Sequence, residues 1–459
     1  MRVLFLIITM LSLALPGRAL AGTPVGISLW TTETPKERLA VIRYLADVFM
    51  ALNPDIKVTV VGIDENEFIR CVTDKKDCGE TPDLVNTSSA LIVAMGEKGL
   101  LDTGAATAAV RSIGTDRFSK GPLLAFTRPG RGFYGIPHHG WVQGIWYRAD
   151  WFEEAGLTPP RTLRQILKAA KRFTDPAKGV YGILLGTKAD NYAEQIFTQI
   201  ALACGARMFS PDGQLVFNSP RMVEALKYYQ QLAGYTPPGP QTWRGRDYYL
   251  QGRLAMLFYS TFIMDDLALP GVAAESLGSD HFKDLSGTIF DPELARHTRM
   301  TALIQGRTVA GYGSINGFSL FRSGCPAKRE ATQRLLAFLY EPGPYVEWLH
   351  MSPGGMLPAL RNFENDQRFM DDPEGVFHRF GRANIKRILA GLESIRTFGL
   401  VDGHHFPLAS VFFAEKIIPR MIAKTLSDEY SPADAVAWAE QEMRRVAASI
   451  SGQKASDAQ

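Results

Sequence analysis

The stretch YGIPHHGWVQGIWYRADWF, residues 134–152, decides how the chain is organised. Its ends are rich in aromatic and aliphatic residues, as buried strands and helix starts are. Its middle, His138-His139-Gly140-Trp141, sets two imidazoles, a glycine and an indole into that apolar run. A second histidine pair, His404-His405, raises the possibility of a metal site. Adjacent residues of a strand point to opposite faces, so at most one histidine of each pair could reach a shared ion. Ligand contact, with imidazole nitrogens exchanging hydrogen bonds with hydroxyls, is the stronger expectation for this stretch, and no metal is expected.

Working outward, the chain alternates strands and helices. Val25 to Trp30 reads as a strand, and a helix follows from Lys36 to Leu52 with Leu39, Ile42, Leu45, Ala46 and Phe49 on one stripe. Asn53-Pro54 ends it, and Ile56 to Val61 is a second strand. After a helix near Glu65 to Cys71 comes a third strand, Pro82 to Asn86, then a helix from Ala90 to Lys98. This alternation predicts an α/β fold with parallel strands. In such folds ligands bind beyond the carboxyl ends of strands, here Trp30-Thr31-Thr32 and Asn86-Thr87-Ser88. Their hydroxyl, amide and indole groups suit a neutral polyhydroxylated ligand, although Thr31, Thr32, Thr87 and Ser88 are equally good helix caps. Further on, Thr162 reads as the cap of an amphipathic helix from Leu163 to Phe173. Arg253 to Tyr259 reads as a buried strand with Ser260-Thr261 at its end. The last third is mostly helical, interrupted by the stiff turn Ser352-Pro353-Gly354-Gly355-Met356-Leu357-Pro358.

The N-terminus has the layout of a secretory signal: Arg2, an apolar run from Val3 to Leu15, Pro16-Gly17, then Ala19-Leu20-Ala21. Export to the periplasm with cleavage after Ala21 is expected, and no cysteine follows that would carry a lipid. No later apolar run is long enough to span a membrane. The remaining length calls for two lobes or more. A net charge of +3 with dispersed Lys and Arg offers no basic stripe for nucleic acid. In an oxidising compartment Cys71 and Cys78 are expected to pair across a short loop, while Cys204 and Cys325 are left open. No zinc-protease, Walker, nucleophile-elbow or dinucleotide motif is present, so no cofactor is expected. Scattered carboxylates leave a glycosidase pair as a competing possibility.

The ordered pieces together resemble the bacterial extracellular solute-binding proteins of the maltose-binding type, which serve ATP-driven importers. The opening strand and helix ending Asn53-Pro54-Asp55-Ile56-Lys57-Val58 are similar to that family's start. Pro82-Asp83-Leu84-Val85 resembles its third strand. Tyr134-Gly135-Ile136-Pro137, then Ile145-Trp146-Tyr147-Arg148-Ala149-Asp150, resembles its most diagnostic segment. Gly156 to Thr162, Gly252-Arg253-Leu254-Ala255-Met256 and Gly354-Gly355-Met356-Leu357-Pro358 match further pieces in order. Arg148 departs from the usual Asn and Leu163 from a common Trp. The acidic residue often found after the first hinge gives way to His138, His139 and Trp141.

The resemblance implies a two-lobed periplasmic-binding-protein fold with a ligand cleft between lobes joined by hinge crossings. Lobe one would be residues 22–139 plus 290–358, and lobe two 140–289 plus 359–459. The quoted stretch would be the first crossing, one strand ending at Pro137 and another beginning at Val142, with Gly140 turning the chain. It further implies cleft positions for Tyr192, Trp243, Tyr259, Ser260, Asn316, Gly317, Gly355, Met356 and His404. The implied activity is capture of a carbohydrate or polyol-like solute by hinge closure, without catalysis, by a monomer that delivers it to membrane permease subunits. A glycerophosphodiester held by Arg307, Arg361 or Arg396 is the alternative within the family.

Overall fold

A computed structural model describes residues 23–73, 81–128, 130–278, 290–401 and 403–456. The expected signal segment and Cys78 lie outside them. Cys71 is disulfide-bonded, and Cys204 and Cys325 carry free thiols, the first buried and the second exposed.

Eight strands form the main sheet: β1 (Val25–Thr31), β2 (Ile56–Gly62), β3 (Leu84–Ser88), β4 (Ile136–Arg148), β5 (Met256–Ser260), β6 (Thr298–Thr301), β7 (Tyr312–Leu320) and β8 (Leu357–Pro358). The first three are parallel, β1 lying between β2 and β3, as the alternation predicts. β7 runs antiparallel between β3 and β4. Six helices bear on the site and its surroundings: α1 (Lys36–Leu52), α2 (Glu65–Thr73), α3 (Asn191–Ala203), α4 (Ile263–Ala268), α5 (Pro326–Leu339) and α6 (Pro342–Leu349).

The quoted stretch is not interrupted. Ile136 to Arg148 is one strand of 13 residues, and it joins two halves of the molecule. Its first half pairs with β7 and β8, its second half with β5 and β6. Gly140 therefore does not turn the chain. It is needed because a Cβ there would stand 2.5 Å from both the Ser314 carbonyl and the Ile315 side chain. The irregularity falls at His138: consecutive Asn316 and Gly317 of β7 stand opposite His139 and Pro137, so His138 is the extra residue of a β-bulge in β4. β6 adds to the second half of β4, and the return to the first half is made by β7.

Packing follows the periodicity. Ile42, Leu45, Ala46 and Phe49 of α1 are buried, and the Asn53 side chain donates to the Phe49 carbonyl at 2.8 Å, closing the helix. Thr162 caps its helix through a reciprocal bond with Gln165. The threonines after β1 do not cap: the residue before α1 is Pro35, with no side-chain cap bond, and Ser88 makes none to the helix that follows β3.

Candidate ligand-binding site

Where β1 and β3 end and β4 crosses between the halves, the surface folds into a cavity of about 310 Å³. Its floor is a row of side chains across three strands. Ser88, Asn316 and His139 stand in register on β3, β7 and β4, and Ser314 faces Trp141 one step along. Trp141 is half-buried and leans on Tyr312, ring centroids 6.1 Å apart.

One wall is polar. It consists of Thr32 and Glu33 after β1, Arg38 on the first turns of α1, and Glu65 opening α2. Arg38 donates to Glu33 Oε2 at 2.9 Å. The other Glu33 oxygen lies 3.8 Å from His139 Nε2. Burial raises the Glu33 carboxyl, but His139 and Arg38 together outweigh it and hold the group below its ordinary range. The opposite wall is apolar: Phe262, just past β5, with Gly355 and Met356 from the turn before β8. A Cβ on Gly355 would collide with the Phe262 ring, so only glycine lets the ring seat there. Arg38 spans the gap, its guanidinium 5.8 Å from the Phe262 centroid.

Seven residues expected from sequence line this cavity: Thr32, Ser88, His139, Trp141, Asn316, Gly355 and Met356. Others support it from behind. Thr31 donates to Asn86 Oδ1 at 3.1 Å and accepts from the Glu33 N–H, while Asn86 donates to the Gly317 carbonyl. Thr32 donates to Thr87 at 3.3 Å. Trp30 is core, and Gly317 is a packing glycine against Ile136 and Phe126.

His138, the extra residue of the bulge, is turned into a box of Phe318, Tyr340, Tyr345 and Trp348 with centroids 4.6–5.3 Å distant. Burial pushes its imidazole well below the usual range, with His139 adding to the effect. The remaining expected residues are engaged elsewhere. Tyr192 donates to the Phe258 carbonyl at 2.6 Å, and Tyr259 accepts from Arg246 at 3.0 Å. Ser260 ends β5 without lining the cavity. Trp243 is 41% exposed and flanked by the guanidiniums of Arg244 and Arg246. His404 is exposed on a separate two-residue ladder.

Sequence reasoning missed Glu33, Arg38, Glu65, Gly140, Phe262 and Ser314 as cavity residues. Position held the signal for most of them. Glu33 directly follows Thr32, Glu65 opens the helix after β2, and Phe262 follows Ser260-Thr261. A wider, open depression of about 530 Å³ along Asn218–Lys227 gathers no such convergent set. Among the described residues no group of three His, Cys, Asp or Glu could hold a metal ion.

Residues 33–292 match the bacterial extracellular solute-binding protein family. The chain belongs to this family. YcjN of Escherichia coli (strain K12), named as an ABC transporter periplasmic-binding protein, is 28% identical over 84% of each chain. The mannitol-binding protein of Pseudomonas aeruginosa is 31% identical over 42% of this chain and 45% of its own. Among solved structures, the solute-binding protein of Agrobacterium radiobacter K84 in complex with ribitol superposes with a TM-score of 0.63 at 20% identity. That match covers 92% of this chain and 98% of that one. The fold is thus the two-lobed α/β fold of solute-binding proteins, the expected class.

Proposed function

We propose that this protein is the capture component of an ABC importer for a neutral carbohydrate or polyol. In this reading it is exported to the periplasm, closes its lobes around one solute molecule and hands it to the permease subunits as a monomer. The observation that carries the reading is the two-sided cavity. Hydrogen-bonding groups on one side suit hydroxyls, and Phe262 and Met356 on the other, with Trp141 on the floor, suit the C–H face of a sugar or an extended polyol. Relatives named for mannitol and ribitol binding point the same way. In this reading lobe one comprises residues 22–139 plus 290–358 and lobe two residues 140–289 plus 359–459. Closure is a population shift driven by the extra contacts of the closed state.

Two features argue against the alternatives. Among the described residues Arg38 is the one arginine lining the cavity; it is already bonded to Glu33, and Glu65 adds a second carboxylate, which disfavours a phosphodiester. Arg307 pairs with Glu224 and Arg361 with Glu393, and neither these nor Arg396 lines the cavity. A glycosidase acid needs a raised carboxyl, whereas Glu33 is held ionised.

The test is a thermal-shift screen of the mature protein against D-mannitol, ribitol, D-tagatose, maltose and glycerophosphocholine. A ligand at 100 times its Kd stabilises the native state by about 2.7 kcal/mol, enough for a clear rise in Tm. A rise with a sugar or polyol that is recovered unaltered supports the reading. A rise with glycerophosphocholine alone overturns it.

A further inference from the structure

Arg38 joins the two walls of the cavity. It rises from the first turns of α1, donates to Glu33 Oε2 at 2.9 Å, and carries its guanidinium across to stand 5.8 Å from the centroid of the Phe262 ring. That is within the range at which a cation is drawn to an aromatic face.

Both ends of this bridge are held. Glu33 is buried, its Oε1 faces His139 Nε2 at 3.8 Å, and its backbone N–H donates to Thr31 Oγ1. Phe262 sits on Gly355, where a Cβ would fall 2.2 Å from the ring. The Arg38 side chain is itself 25% exposed, so most of it is out of water. Swinging it away would leave a buried carboxylate without its arginine and the ring without its cation. The bridge is therefore a fixed part of the cavity.

The bridge limits what can lie between the walls. A sugar ring held between a guanidinium and a phenyl ring needs a van der Waals contact of about 3.5–4.0 Å on each face, or about 7 Å in all. The 5.8 Å found there is too short. A chain of sugar rings cannot thread between the walls at this point while the Glu33 bond stands.

The space that remains is small. A cavity of about 310 Å³ holds the equivalent of about ten waters, each taking about 30 Å³. Covalent bonds in a polyol bring nearly two carbons or oxygens into the space of one water, so about fifteen to twenty such atoms fill it. A pentitol, hexitol or monosaccharide, with about a dozen, fits with room to spare, and a disaccharide, with about twice as many, does not. Because Arg38 already reaches Phe262, bringing the walls closer adds no room.

We propose that the Arg38–Phe262 bridge is a size gate that restricts the site to one monosaccharide or alditol and shuts out disaccharides and longer chains. This rests on the carbohydrate reading of the site. Arg38 is thereby a specificity-determining residue, acting by the space it closes.

The test is calorimetry of the mature protein with D-mannitol, ribitol and D-tagatose as single units and with maltose and maltotriose as chains. The single unit that binds most tightly is the reference. A chain enters only by displacing Arg38 from Glu33, so maltose and maltotriose are expected to bind about 30-fold more weakly than the reference, or worse. In Arg38→Ala that ratio is expected to shrink about tenfold. The ratio is the readout because loss of the arginine's charge, with Glu33 left facing His139, weakens single units and chains alike. Maltose or maltotriose binding wild type within about threefold of the reference overturns the size limit and leaves the carbohydrate reading in place. That comparison decides even if Arg38→Ala does not fold. A ratio unchanged in Arg38→Ala overturns the gate. If none of the five binds, the carbohydrate reading fails and the size limit with it.

Discussion

The two walls of the cavity differ in how they are held. The polar wall is charged and cross-braced: Glu33 is bonded to Arg38, faces His139, and takes its backbone position from the Thr31–Asn86 stitch. The apolar wall is held mainly by shape, the Phe262 ring resting on a glycine and Met356 almost fully buried beneath the turn. The difference teaches what each wall resists. A braced polar wall tolerates no loss of a partner, because the charges left behind are partly or wholly out of water. A shape-held wall tolerates chemical change but no added volume.

Glu33→Ala is the strongest test of the braced wall. It strands Arg38 in a half-buried position, and the loss of a buried hydrogen-bonded charge partner is expected to weaken sugar affinity by about 30-fold or more, measured by calorimetry. The pH dependence has a definite sign. Because the Glu33 carboxyl is depressed, its stabilisation is fully present above about pH 4.3 and is lost as pH falls through the lower folded value. The Tm gap between wild type and Glu33→Gln should therefore close in acid. No closing down to pH 3 would contradict the brace.

Glu194 sharpens the contrast, being a buried carboxyl of α3 outside the cavity. Its Oε2 has no hydrogen-bond partner, and burial pushes the group up to about 8. Here the sign reverses. The unfolded chain ionises first, so stability falls as pH rises from about 4.5 toward 8. Glu194→Gln should raise Tm more at pH 8 than at pH 5, by the equivalent of about 3 kcal/mol at most. A uniform change across pH would show that ionisation is not the cause.

On the apolar wall, Gly355→Val should displace the Phe262 ring and cost about 1–3 kcal/mol, seen as a lower Tm in denaturation scans. Unchanged stability would mean the glycine is not a seat.

Much of this was legible in the sequence, and the rest was hidden for identifiable reasons. The stripe of α1, the Asn53-Pro54 stop and the Thr162 cap are local, and local chemistry is written in neighbouring residues. The continuity of β4 was not, because an apolar run broken by His-His-Gly-Trp looks like two strands until its partners are known. The pairing of Gly140 with Ile315, and the backbone crowding there, supply the reason for the glycine. Regular alternation is the expectation for the two histidines, but the bulge at His138, and which ring met the cavity, depended on β7 and α6. Phe262 escaped notice because its meeting with Arg38 joins elements more than 200 residues apart, whereas the Glu33–Arg38 pair is local and was within reach of the sequence. Trp243 reads from sequence as a stacking surface in a loop, and in the structure it lies outside the cavity with the guanidiniums of Arg244 and Arg246 against its ring.

Those two tryptophans, Trp141 in the cavity and Trp243 outside it, give the most direct test of where solute binds. Trp141→Ala and Trp243→Ala should be titrated calorimetrically alongside wild type with whichever of D-mannitol, ribitol, D-tagatose or maltose raises the wild-type Tm. A stacking contact is worth about 0.5–1.5 kcal/mol beyond its buried area. The cavity therefore predicts an affinity loss of about tenfold for Trp141→Ala and none for Trp243→Ala. Undiminished binding by Trp141→Ala, or loss confined to Trp243→Ala, would place the solute elsewhere and contradict the site described.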